Sequence, residues 1–231
     1  MMYTTLSAVH GNYPQGRATA ALEQARVSAA RIVDPPGTED STHERGLELK
    51  KNYRIYFTGS HGTGKTTQRD YFRKFYPEFH IMEMERRDLH AKGIINLNKR
   101  VNPWDEVIIA GNVMLNMLST PAPSVSDRSW VCKCAYCQAT SLDEDLKDAW
   151  HIINTRSFFG QGEDDVYIYF PPVIPLVDDG VRSMDPEYQS EVDYWVQFYL
   201  DFFHIKYHTM NSYTVQDRHF ELEQVLFGGI K

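Results

Sequence analysis

An α/β fold, a mostly parallel sheet of five strands with helices on both faces, is what this sequence predicts, and three observations predict it. From Asn52 onward, short apolar, β-branched and aromatic runs alternate with longer helix-like stretches; such alternation builds a parallel sheet covered on both sides. One run passes directly into a glycine-rich loop and then a polar helical stretch, "YFTGSHGTGKTTQRD" (56–70). The chain has 231 residues, 42% of them hydrophobic, which suffices for one such domain plus an appendage.

Each element has a local reason. "YRIYFTG" supplies a strand over 53–58, and "GKTTQRDYFRKFY" a helix over 64–75 that stops before Pro77, because the residue ahead of a proline is pushed out of the helical region. "FHIMEME" is a second strand, 79–85. "PWDEVIIAGNVMLNMLS" is a helix opening on Pro103, where a missing N–H does no harm. "SVSDRS" holds a short strand, and "WVCKCAYCQA" and "DEDLKDAWHIINTRSFF" read as helices. "DVYIYF" (165–170) is a strand by its β-branched and aromatic residues. A helix over 186–202, "IKYHTM" as the last strand and "DRHFELEQVLF" as the last helix complete the pattern. Residues 1–50 differ: "ATAALEQARVSAARIV" is an amphipathic helix, and "DPPGTEDSTHERG" has the composition of a linker. The expected division is therefore an N-terminal extension, 1–50, and a main domain, 51–231.

Composition narrows the function. A formal net charge of −7 does not suit a general nucleic-acid binder, since phosphate affinity comes from clustered Lys and Arg. The extension does carry Arg17, Arg26 and Arg31, which form a basic helix face if that helix forms. No apolar run approaches a membrane span, and the N-terminus lacks a charged-then-apolar leader, so the expectation is a cytoplasmic protein with no membrane partner. Three cysteines, Cys132, Cys134 and Cys137, make no disulfide framework. Zinc would need a fourth ligand, such as His151. In a helix Cys134 and Cys137 share a face while Cys132 points elsewhere, so buried apolar thiols are expected.

Gly59-Ser60-His61-Gly62-Thr63-Gly64-Lys65-Thr66 fits the phosphate-loop pattern G-x-x-x-x-G-K-[ST] in full, with Thr67 following. Its glycines let the backbone turn tightly around a polyphosphate, and successive N–H groups with the next helix's N-terminus supply the positive field. Lys65 would bridge the outer phosphates, and the Thr66 hydroxyl would ligate Mg²⁺. ATP and Mg²⁺ are thus the expected cofactors. A guanine-selecting Asn-Lys-x-Asp is absent: "NLNKRVN" lacks the Asp. "PSVSD" is too short and polar for the strand-plus-acid element of a motor ATPase. Small-molecule kinases tolerate a short strand ending in Asp-Arg, so a kinase is favoured.

"GTGKTTQ" (62–68) resembles the loop of thymidylate kinases, and "SDRSW", with Asp127-Arg128-Ser129, resembles an element of thymidylate and deoxynucleoside kinases. "DDGVRSMDPEYQSEVD" (178–193) is similar to a stretch in phage-encoded nucleotide kinase-like proteins and in relatives of ribosylnicotinamide kinases. The resemblance implies a P-loop three-layer α/β/α sandwich with strand order 2-3-1-4-5. It implies ATP-dependent phosphorylation of a deoxynucleotide-like acceptor, as by a nucleoside monophosphate kinase. Other acceptors stay open: a modified base of the 5-hydroxymethyluracil type in phage DNA, or a nucleoside such as ribosylnicotinamide. A nucleotide-gated regulatory ATPase is a further alternative. A phage-encoded chain would work in the host cytoplasm, and a homodimer is left open.

On the acceptor side, Asp127 would hold Mg²⁺ or orient the acceptor oxygen, and Arg128 would clamp an acceptor phosphate with its planar fork. Ligands in open α/β sheets sit at the carboxyl ends of strands, where both residues lie. Within "MEMERRDLH" (82–90), where the second strand ends, Glu83 and Glu85 share one strand face. The resemblance makes Glu85 or Glu83 the base and Arg86 or Arg87 the clamp. Arg182, beside Asp178, Asp179 and Gly180, would close over the transferring group, with Arg156 a second candidate. Asp179 joins the substrate-binding set. Trp104, Phe158 and Phe159 flank the expected site as stacking candidates, whereas "YWVQFYLDFF" has the spacing of core.

Overall fold

The computed structural model of the protein describes residues 53–82, 86–94, 103–140, 162, 164–178 and 183–228, without the side chains of 86–88, 103, 104, 106 and 107. Five strands, β1 (Arg54–Thr58), β2 (His80–Met82), β3 (Ser124–Ser126), β4 (Val166–Tyr169) and β5 (Tyr207–Thr209), form one sheet in the order β2-β3-β1-β4-β5. All four pairings are parallel. Six helices are described: α1 (Lys65–Phe75), α2 (Arg86–Ala91), α3 (Pro103–Ser119), α4 (Trp130–Ala139), α5 (Pro186–Phe202) and α6 (Val215–Phe227). This is the P-loop NTPase-like arrangement, and the strand order is the one the resemblance implied.

Strand alternation sorts the core into two layers. Ile55, Phe57, Val125, Ile168 and Phe170 point to one face, where Phe72 of α1 and Leu222 of α6 meet them. Tyr56, Met82, Tyr167 and Tyr169 point to the other, against Trp130, Val131 and Ala135 of α4 and Val192, Val196 and Leu200 of α5. Side chains of one strand alternate between faces, and a parallel strand is covered on both, so the middle of β1, Ile55-Tyr56-Phe57, is an unbroken apolar run. The aromatic stretch of α5 is core as expected: Val196, Tyr199 and Leu200 are buried, and Trp195 and Phe198 pack on them. Tyr194, on the opposite side of the helix, is exposed.

Boundaries shift slightly. Helix α1 begins at Lys65, because Gly64 sits in the left-handed region with φ 87° and serves as its cap. The second strand is described only for His80–Met82, so Glu83 and Glu85 lie outside the described residues. Arg86 and Arg87 begin helix α2. Residues 1–50, the helix expected over "DEDLKDAWHIINTRSFF", and the candidates Arg156, Phe158, Phe159, Asp179 and Arg182 also fall outside the description.

Candidate functional site

The loop after β1 shows why its glycines are there. Gly59, Gly62 and Gly64 have φ of 146°, 76° and 87°. At Gly59 a Cβ would lie 2.5 Å from the Phe170 carbonyl oxygen, so the loop can leave the sheet beside β4 only without a side chain. The loop feeds α1, whose N-terminus has no side-chain cap and no acid in its first turn. By contrast, α4, α5 and α6 are capped by Ser129, Asp185 and Thr214. The free N–H groups of α1 therefore remain as donors for an anion.

Lys65 is 6% exposed. Its amine donates to the Ser60 carbonyl and, at 2.9 Å, to Thr63 Oγ1. Burial brings its pKa down to about 8, with Cys132, Asp127 and Asp193 pulling it back up and Arg128 opposing them. At the end of β3, Asp127 is 7% exposed. Its Oδ2 accepts from Thr66 Oγ1 at 2.7 Å and from Arg69 Nη1 at 3.2 Å. Oδ1 is buried with no hydrogen-bond partner among the described residues. Threonine hydroxyl and carboxylate are hard oxygen donors suited to Mg²⁺. Thr66, Asp127 and the loop thus fit a nucleotide–metal pair.

The short run "PSVSD" supplies β3 and the acid at its end. Polar or not, β3 is wholly buried between β2 and β1. Ser126 Oγ accepts from the Arg128 backbone N–H at 3.2 Å, which makes a serine tolerable there. Asp127 consequently stands beside the phosphate loop, bonded to Thr66 at the start of α1. Arg128 extends over the Tyr136 ring, 5.3 Å from its centroid. Its Nη1 is buried and unpartnered among the described residues, so a fork arm is left for a ligand.

Beneath the loop lie residues that sequence reasoning missed. Gln189 Nε2 donates to the His61 carbonyl at 2.7 Å, and His61 Nδ1 shares a 3.1 Å hydrogen bond with the Tyr136 hydroxyl. Four residues on from Gln189, Asp193 accepts from Tyr169 at 2.7 Å and from Gln197 at 2.9 Å. Burial raises the Asp193 carboxyl, and those two bonds together with Lys65 partly offset the rise. A polar pair at i, i+4 inside an aromatic helix face was the available signal. Cys132 is fully buried, and its Sγ accepts from the Gly59 N–H at 3.4 Å. The thiols of Cys134 and Cys137 are buried in α4. Arg218 of α6 donates to the Thr63 carbonyl at 2.7 Å; no sequence pattern marked it.

A parallel sheet in this order, a glycine loop closing on an uncapped helix, and a buried Lys–Thr–Asp set define a P-loop nucleotide-binding domain. The chain belongs to the AAA domain family, whose pattern matches residues 54–218. No curated protein sequence matches it. Among solved structures it is similar to NadR protein in complex with NR, at 13% identity and a TM-score of 0.59, over 78% of this chain and 52% of that one. It is similar also to NadR protein in complex with NAD and AMP-PNP, at 14% identity and a TM-score of 0.58, over 77% of this chain and 50% of that one. The chain thus spans about half the length of these NadR chains. Among the described residues, no helix is long and apolar enough to cross a membrane.

Proposed function

We propose that the protein is an ATP-dependent kinase whose acceptor is a nucleoside of the ribosylnicotinamide type. The observation that carries the kinase reading is the convergence of Lys65, Thr66 and Asp127 at the phosphate loop, with Arg128 at the same strand end. Two things favour a nucleoside acceptor: the resemblance of "DDGVRSMDPEYQSEVD" to relatives of ribosylnicotinamide kinases, and the fold shared with proteins crystallised with NR and with AMP-PNP.

In this reading the γ-phosphoryl group of ATP passes to an acceptor hydroxyl. The bond from phosphorus to the ADP oxygen breaks, the bond to the acceptor oxygen forms, and the hydroxyl proton leaves to a carboxylate, for which Glu85 or Glu83 is proposed. The loop N–H groups hold the polyphosphate, Lys65 adds charge at the outer phosphates, and Thr66 with Asp127 would hold Mg²⁺. When bound, that ion screens the charge developing on the phosphate oxygens. Arg128 orients the acceptor, and Arg86, Asp179 and Arg182 complete the proposed acceptor side.

A second reading keeps a nucleoside monophosphate as acceptor, as in thymidylate kinases. The free Nη1 of Arg128 favours it, since a guanidinium fork matches a phosphate. Labelled ATP incubated with nucleosides (ribosylnicotinamide among them), nucleoside monophosphates, and modified or unmodified DNA separates the readings. Transfer to a nucleoside supports the first, and transfer only to monophosphates supports the second. Transfer to DNA would assign the chain to base modification, and slow hydrolysis without transfer to a regulatory ATPase.

A further inference from the structure

Arg218 poses a problem that the loop alone does not explain. It lies one turn into α6 and is 1% exposed. Nε donates to the Ser212 carbonyl at 2.8 Å, Nη1 donates to the Thr63 carbonyl at 2.7 Å, and the guanidinium lies over the Phe170 ring, 5.6 Å from its centroid. Nη2 is buried and has no hydrogen-bond partner among the described residues. Nor does a carboxylate pair with it there. Glu221, the acid nearest in influence, is occupied by the Asn211 and Ser212 N–H groups and by His208 Nε2.

A guanidinium out of water with only carbonyls and a ring around it is costly, and an orphaned buried donor calls for a missing acceptor. Its position suggests which acceptor. Arg218 Nη1 bonds the carbonyl of Thr63, two residues ahead of Lys65, and a Cβ at Gly64 would come within 2.8 Å of the same Nη1. The cation is therefore built against the phosphate loop itself. A simple bracket between Ser212 and Thr63 would need only two arms, and a third is present and unused. We propose that Arg218 is a nucleotide-binding residue supplied by the last helix: Nη2 donates to an acceptor atom of the nucleotide, while the other two arms tie the loop to the β5–α6 connection. The inference rests on the nucleotide-binding reading of the loop. The acceptor atom is either a phosphate oxygen or an atom of the base or sugar; both offer the same lone-pair chemistry.

The test titrates the full chain, its Arg218→Gln and Arg218→Lys variants, and Lys65→Ala as a control, with AMP-PNP and with inorganic tripolyphosphate, alongside thermal melts. A hydrogen bond from a charged donor predicts a loss of AMP-PNP affinity of about tenfold or more in a cooperatively melting Arg218→Gln. Parallel loss of tripolyphosphate affinity assigns Nη2 to a phosphate oxygen; retained tripolyphosphate affinity assigns it to base or sugar. Lysine decides between ligand contact and bracket, because its single nitrogen can sit on the Thr63 carbonyl but lacks the planar fork that places a separate arm on the nucleotide. AMP-PNP binding should stay weakened by about fivefold or more in Arg218→Lys, which also decides the matter if Arg218→Gln does not fold. Wild-type-like AMP-PNP binding by either folded variant overturns the proposal. If instead the unmodified chain does not bind AMP-PNP, or Lys65→Ala binds it equally well, the reading of the loop itself fails.

Discussion

Lys65 is held between opposed demands. Its charge is wanted at the phosphates, yet burial lowers its pKa from 10.5 to about 8. Between those two values the unfolded chain holds more protons than the folded one, so this group's contribution to stability rises with pH across that window. Nucleotide binding should run the other way: AMP-PNP affinity of the free protein is expected to fall as pH rises through about 8, and a flat profile from pH 7 to 9 would contradict the assignment. Lys65→Ala should lower phosphoryl transfer by about 10²–10³ while the chain stays folded and melts cooperatively. The two arginines should act differently. Arg128 stands at the end of β3, beside the buried Asp127. Arg128→Ala should therefore raise acceptor KM strongly with a smaller drop in kcat. Arg182 is proposed to meet the phosphoryl group only in the transition state, so Arg182→Ala should lower kcat and kcat/KM together, with little rescue by lysine. Steady-state kinetics on the best acceptor checks both, and wild-type behaviour of Arg182→Ala would remove it from the site.

At the scale of elements, the connection from β5 to α6 is clamped by one carboxylate. Glu221 accepts from the Asn211 N–H at 2.9 Å, the Ser212 N–H at 2.8 Å and His208 Nε2 at 2.7 Å. Burial by itself would raise its pKa; bonds from Ser212, Asn211 and His208 outweigh that and bring it to about 2. Because the folded value lies below the ordinary 4.5, the stabilisation is fully present above that pH and is lost as pH falls toward 2. Glu221→Gln should cost about 1–3 kcal/mol at pH 7 by urea unfolding, and the difference from wild type should shrink in acid. A variant as stable as wild type at pH 7 would show the clamp to be energetically idle. The helix that follows also positions Arg218, so AMP-PNP affinity should weaken along with stability in the same variant.

For the whole molecule, deletion of residues 1–48 should leave a folded domain that binds AMP-PNP, since the family match begins at residue 54. Circular dichroism and calorimetry on the truncated chain check this, and loss of cooperative melting would place the extension inside the domain. The sequence by itself determined the strand–helix alternation and the phosphate loop. Both are local: a loop that wraps phosphate must have Gly59, Gly62 and Gly64 at a set spacing, and Ile55, Tyr56 and Phe57 give β1 the apolar run of a parallel strand covered on both faces. It also marked Asp127 and Arg128, because a strand end in such a sheet is where ligands lie. The implied strand order already set β3 between β2 and β1, and the expected Mg²⁺ site already put Asp127 and Thr66 at one metal. Tertiary structure added the direct bond, Thr66 Oγ1 to Asp127 Oδ2 across 61 positions of chain, and the full burial of β3's serines. Only packing showed that Gln189 and Asp193 of α5 underlie the loop, that Cys132 backs Gly59, and that Arg218 reaches Thr63 from 155 residues away. Such contacts arise from how helices pack on the two faces of the sheet, and a single chain's pattern of residues carries no record of that pairing.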